Sequence, residues 1–139
     1  MKKSHLIVPV VFASALALVG CGGGREVEVS GEAKSAETVA GPISLQFFEV
    51  PAAGEDAATE AIKTAELPKL GAFKETVEVE GDSVRILALV DTDKDGKCTE
   101  GELWGEATAA ISADDTVAAV AIELKAQACP KPAATDTAK

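Results

Sequence analysis

The sequence predicts an all-β protein, a small antiparallel β-sandwich of about six to seven strands, on three observations. Several short runs alternate apolar and polar residues with a period of two, as half-buried strands do. Turn-forming residues interrupt those runs about every eight to twelve positions. The chain of 139 residues contains four Phe, one Trp and no Tyr, so its core must be assembled mainly from Val, Ile, Leu and Ala. No internal repeat is present.

The first twenty residues precede the sandwich. "MKKSH" is a short basic start and "LIVPVVFASALALVG" an apolar run of the length and position of a secretory leader. Its end, Leu18-Val19-Gly20-Cys21 followed by three glycines, resembles the lipobox of bacterial lipoproteins. The resemblance implies cleavage before Cys21, a diacylglyceryl group on its sulfur, and further acylation. Gly22 stands where the inner-membrane retention signal of that family has Asp, so the resemblance implies the outer membrane. Several acyl chains make a durable anchor, whereas one chain is marginal. The protein is therefore expected to be held at a membrane without crossing it.

Residues 21–41 are expected to form the lipidated Cys and a flexible tether. "GGGREVEVSGEAKSAETVAG" is rich in Gly, Ala, Ser and Glu with only scattered valines, too little apolar surface to offset the entropy of ordering. Within it "REVEVS" alternates briefly, which leaves an added edge strand as the other reading. The sandwich is placed over 42–130, with a frayed tail over 131–139.

"ISLQFFEV" (43–50) alternates and carries two phenylalanines, a strand that turns at Pro51. "PAAGEDAATEAIKTAELP" (51–68) suits a short helix by its alanines, yet "AIKTAEL" before Pro68 passes as an edge strand; loop and then strand is the preferred reading. "FKETVEVE" (73–80) alternates cleanly, with Phe73, Val77 and Val79 inward. Gly81-Asp82 turn the chain, and "SVRILALV" (83–90) returns as a strand apolar on both faces, hence central. Beyond an acidic loop come "GEATAAI" (105–111), the turn "SADD", and "TVAAVAIELKAQA" (116–128), whose Thr116, Val117, Val120 and Ile122 favour extended chain. Strand number and turn spacing resemble a sandwich of the immunoglobulin or prealbumin kind.

The formal charge is −10; without Lys2 and Lys3 of the leader, 11 basic residues face 23 acidic ones and the balance falls to −12. Such a surface repels phosphate backbones, so nucleic acid is excluded as a partner and cations are favoured.

The acidic loop is "DTDKDGKCTEGE", residues 91–102. Its spacing resembles that of an EF-hand calcium loop. The resemblance implies side-chain oxygens from Asp91, Asp93 and Asp95 at positions 1, 3 and 5, and a sharp turn at Gly96. It implies the backbone carbonyl of Lys97, a water held by Thr99, and bidentate Glu102 at position 12, all around Ca²⁺. The flanks are strands instead of helices, so the opening of a helix pair used by EF-hand sensors has no counterpart. Without an exit helix, Glu100 stands as the alternative to Glu102. An acidic hairpin loop without a cation is the plain reading, and a calcium clip joining two strands the sharper one.

With Cys21 consumed by lipid, Cys98 and Cys129 form an even remainder in an exported chain and are expected to pair. Trp104 follows the loop and is either a cap on the sandwich core or a stacking surface for a saccharide or a partner. His5, the sole histidine, lies in the leader, and no serine sits in a G-x-S-x-G context. Catalysis is not expected. The composite reading is an outer-membrane lipoprotein with a calcium-stabilised sandwich, a structural or binding module of the cell envelope. The alternative is a calcium-supported adhesion or carbohydrate-binding module contacting an envelope protein or saccharide; third comes a hydrolase using a carboxylate pair.

Overall fold

The computed structural model of the chain describes residues 23–50 and 60–130. The leader, Cys21, Gly22, residues 51–59 and the tail 131–139 lie outside the described residues. Within them the protein is all β: β1 (Arg25–Lys34), β2 (Ile43–Glu49), β3 (Lys63–Leu67), β4 (Gly71–Val79), β5 (Ser83–Leu89), β6 (Leu103–Ala110), β7 (Thr116–Glu123) and the two-residue β8 (Lys125–Ala126). They form a three-stranded sheet in the order β4-β1-β7 and a five-stranded sheet in the order β3-β2-β5-β6-β8.

Alternation sets what each sheet buries. Val27, Val29 and Ala33 of β1, Phe73, Val77 and Val79 of β4, and Val117 and Ile122 of β7 come from one sheet. Ile43, Leu45 and Phe47 of β2 and Val84, Ile86 and Ala88 of β5 meet them from the other. Phe47 and Phe73 cross the interface edge to face, with ring centroids 6.5 Å apart, the arrangement aromatic quadrupoles favour. At one margin Lys63 of β3 ties the sheets together, pairing with Glu75 at 2.7 Å and donating to the Thr76 carbonyl at 2.9 Å.

Two expectations are corrected here. Residues 25–34 belong to no tether: β1 is the middle strand of its sheet, with Val27 and Val29 fully buried. Its alternating glutamates Glu26, Glu28 and Glu32 face solvent, so the strand meets its burial requirement through small apolar residues. The sandwich is also not wholly antiparallel, because β1 runs parallel to β7. Parallel neighbours need a long connection, and here almost the whole domain intervenes.

Beyond Ile122 the chain changes sheets. Fully buried Leu124 sits at the crossing, its N–H donating to the Lys34 carbonyl at 2.7 Å and its own carbonyl accepting from Ser35 Oγ at 2.9 Å. The crossing brings Glu123 against Gly105 of β6. A Cβ on Gly105 would overlap the Glu123 carbonyl oxygen and stand 2.9 Å from its carbonyl carbon. Gly105→Ala is therefore expected to cost about 2–3 kcal/mol by overpacking. A urea midpoint lowered by about 1–2 M tests this, and an unchanged midpoint refutes the close approach.

Candidate metal centre

The acidic loop joins β5 to β6, which pair antiparallel up to Leu89 and Trp104. The Val90 N–H donates to the Leu103 carbonyl at 2.9 Å and closes its base. Both flanks are thus strands, as the sequence requires.

Inside the loop the aspartates fold the chain around themselves. Asp91 Oδ1 accepts from the Asp95 N–H at 3.2 Å and Oδ2 from the Gly96 N–H at 2.8 Å. Asp95 Oδ1 accepts from the Lys97 N–H at 2.7 Å, and Thr99 Oγ1 donates to Asp93 Oδ2 at 3.3 Å. Gly96 has φ +72°, a left-handed conformation that glycine adopts at least cost. One carboxylate oxygen from each of Asp91, Asp93 and Asp95 lies within 4.8 Å of the other two. Oxygens bound to a shared Ca²⁺ at about 2.3–2.6 Å stand at most about 5 Å apart. The trio fits one cation.

Glu102 is the buried glutamate of the loop, 7 % exposed, whereas Glu100 is turned to solvent. Its Oε1 accepts from Thr92 N at 2.7 Å and Thr92 Oγ1 at 2.9 Å, and Oε2 accepts from Thr99 N at 2.8 Å. It therefore clasps the loop's two ends from beneath. Burial disfavours its charge, but the bonds from Thr99 and Thr92 outweigh this and hold the carboxyl below its ordinary value. Asp91 behaves likewise: desolvation is overcome chiefly by the Gly96 and Lys94 backbone. Asp93 goes the other way. Desolvation, then the charge of Asp95, its bond with Asp91 and the charge of Glu102 raise its carboxyl above the ordinary value. The cluster is short of positive charge at its centre, while the Lys97 side chain is exposed at the rim.

Two further contacts fix the loop on the sheet. Gln46 of β2 donates from Nε2 to the Gly96 carbonyl at 2.8 Å, and Cys98 is bonded to Cys129 with Cα atoms 5.6 Å apart. Trp104 is buried, on the outer face of the five-stranded sheet beside Leu89, its register partner. Its indole N–H donates to the Gln127 carbonyl at 3.3 Å, and Gln127 Nε2 returns a bond to the Trp104 carbonyl at 3.2 Å. The indole thus packs on the outer face of the five-stranded sheet, outside the core between the two sheets, and little of it is exposed. Thr92, Gln46 and Gln127 were not singled out from sequence. Thr92 carried a signal, a hydroxyl beside the first aspartate, but Gln46 lies fifty positions from its partner and carried none.

No protein-family model, curated protein or solved structure matches the chain.

Proposed function

We propose that this chain is a lipoprotein of the bacterial outer membrane whose β-sandwich is stabilised by Ca²⁺ in the 91–102 loop and serves as a structural or binding module of the cell envelope. The observation that carries the calcium part is the convergence of Asp91, Asp93 and Asp95 within 4.8 Å; Glu102 stands outside that trio, its two oxygens accepting from Thr92 and Thr99. Hard oxygen donors at this density suit Ca²⁺ better than Mg²⁺, which keeps its waters, or soft metals. Asp91, Asp93, Asp95 and Glu102 would hold the ion by side chain, Lys97 by its carbonyl and Thr99 through water. With the loop joining two strands and stapled by Cys98–Cys129, the ion's role is to neutralise and lock the loop. Burial of Trp104 favours the structural reading over the adhesion alternative, which drew on an accessible indole.

Calorimetric titration of the protein with CaCl₂ should give a single site with Kd of about 10⁻⁴ to 10⁻³ M, the range of extracellular modules. Asp93→Ala should abolish the heat of binding and leave the far-UV circular dichroism unchanged. Absence of saturable binding up to about ten times that range would leave an acidic hairpin loop and no metal centre.

The anchor is tested separately. Cys21→Ser should shift the protein from the membrane pellet to the soluble fraction almost completely, because the acyl chains supply the membrane affinity. A variant that still pellets with the outer membrane is held by something other than lipid.

A further inference from the structure

We propose that the Cys98–Cys129 bond is a redox latch that holds residues 125–130 as a strap over Trp104, and that its reduction uncovers an apolar patch without unfolding the sandwich. The strap begins where firm packing ends. Leu124 is fully buried and bonded to Lys34 and Ser35, whereas Lys125, Ala126, Gln127, Ala128 and Pro130 are exposed and Cys129 is half-buried. Among the described residues, few hydrogen bonds hold the strap: the short β8 ladder to Leu103 and Trp104, the reciprocal pair of Gln127 with Trp104, and Ala126 N–H to Glu37 Oε1 at 3.2 Å.

A hydrogen bond formed on folding contributes about as much as ordering one residue costs. Among the described residues, these five exposed positions and half-buried Cys129 bury almost no apolar surface of their own, so the covalently fixed far end is what keeps them in place. The strap meets Trp104 through Gln127, and on the same outer face stand its fully buried register partner Leu89 and half-buried Leu87. Both sulfurs belong to half-buried residues, so a dithiol reductant can reach them. Its thiolate attacks one sulfur, the other leaves as a thiolate and takes a proton, and the second thiol of the reductant resolves the mixed disulfide. Two electrons pass to the protein, leaving Cys98 and Cys129 as thiols and the reductant as a disulfide. The sandwich core, built from β1, β2, β4, β5 and β7, does not include the strap.

The chain has one Trp and no Tyr, so indole emission reports this position alone. The full-length protein in detergent and chelator, free of any calcium effect, is treated with dithiothreitol, and thiol labelling verifies cleavage. Emission should shift to longer wavelength and acrylamide quenching should rise several-fold, while far-UV circular dichroism is retained. Cys98→Ser/Cys129→Ser should show the reduced spectrum without reductant. Unmoved emission after verified reduction would overturn the latch, and so would loss of the β-sheet signal, which would make the bond global to the fold. Neither result bears on calcium binding, which the titration above decides.

Discussion

Val27→Asp is expected to leave the domain unfolded at neutral pH or to remove most of its stability. Val27 is fully buried in the middle strand of the three-stranded sheet, opposite Val77 of β4. The substitution forfeits about 1.5–3 kcal/mol of apolar burial. It also places a carboxylate where no described cation or donor waits, a penalty of several kcal/mol whether the group stays charged or takes up a proton. The two together rival the roughly 5–15 kcal/mol that separates a folded domain from its unfolded chain. Glu26→Gln, one position away and exposed, should stay within about 0.5 kcal/mol of the unsubstituted protein. Urea unfolding followed by circular dichroism separates the alternatives. If both variants melt alike, β1 is no part of the fold and residues 25–34 are a tether after all.

That contrast also explains what was legible in the sequence. β2, β4 and β5 carry large apolar residues at alternate positions, so the period of two and the burial agree residue by residue. β5 reads as apolar on both faces because it is central and because the far face, at Leu89, is itself covered. β1 was hidden by averaging. Over twenty residues its Gly, Ser and Glu outweigh its valines, and whether two valines suffice depends on Val77, Val79 and Val117, which lie far along the chain. The sheet exchange at Leu124 was hidden for a related reason, since "AIELKA" contains no turn residue and only the packing against Lys34 and Ser35 breaks it. The aspartate cluster was legible because its geometry is local: three carboxylates on alternate positions followed by glycine converge wherever the loop is closed. Which glutamate turns inward was not, because that depends on Thr92 and Thr99 reaching it from both sides.

Breaking the Cys98–Cys129 bond should destabilise the domain more than removing calcium does. The bond spans a sequence separation of 31, for which the chain-entropy estimate gives about 3.7 kcal/mol. Loosening of the strap in the reduced native state returns part of that, so the figure is an upper bound. Calcium acts through occupancy: at free concentration of about ten times Kd, binding only to the folded state adds roughly RT ln 11, about 1.4 kcal/mol. For a domain of this size the two correspond to melting-temperature shifts on the order of 15 °C and 5 °C. Melts in chelator, in millimolar calcium and in dithiothreitol place them on one scale. The calcium increment should vanish in Asp93→Ala while the reductant's effect persists, because the staple joins Cys98 to Cys129 through covalent connectivity and the ion acts only on the carboxylates. A melting point indifferent to calcium would reduce the loop to an acidic turn. One indifferent to dithiothreitol would mean that Leu124 and the sheet already hold the chain end, and that the bond contributes nothing to the fold.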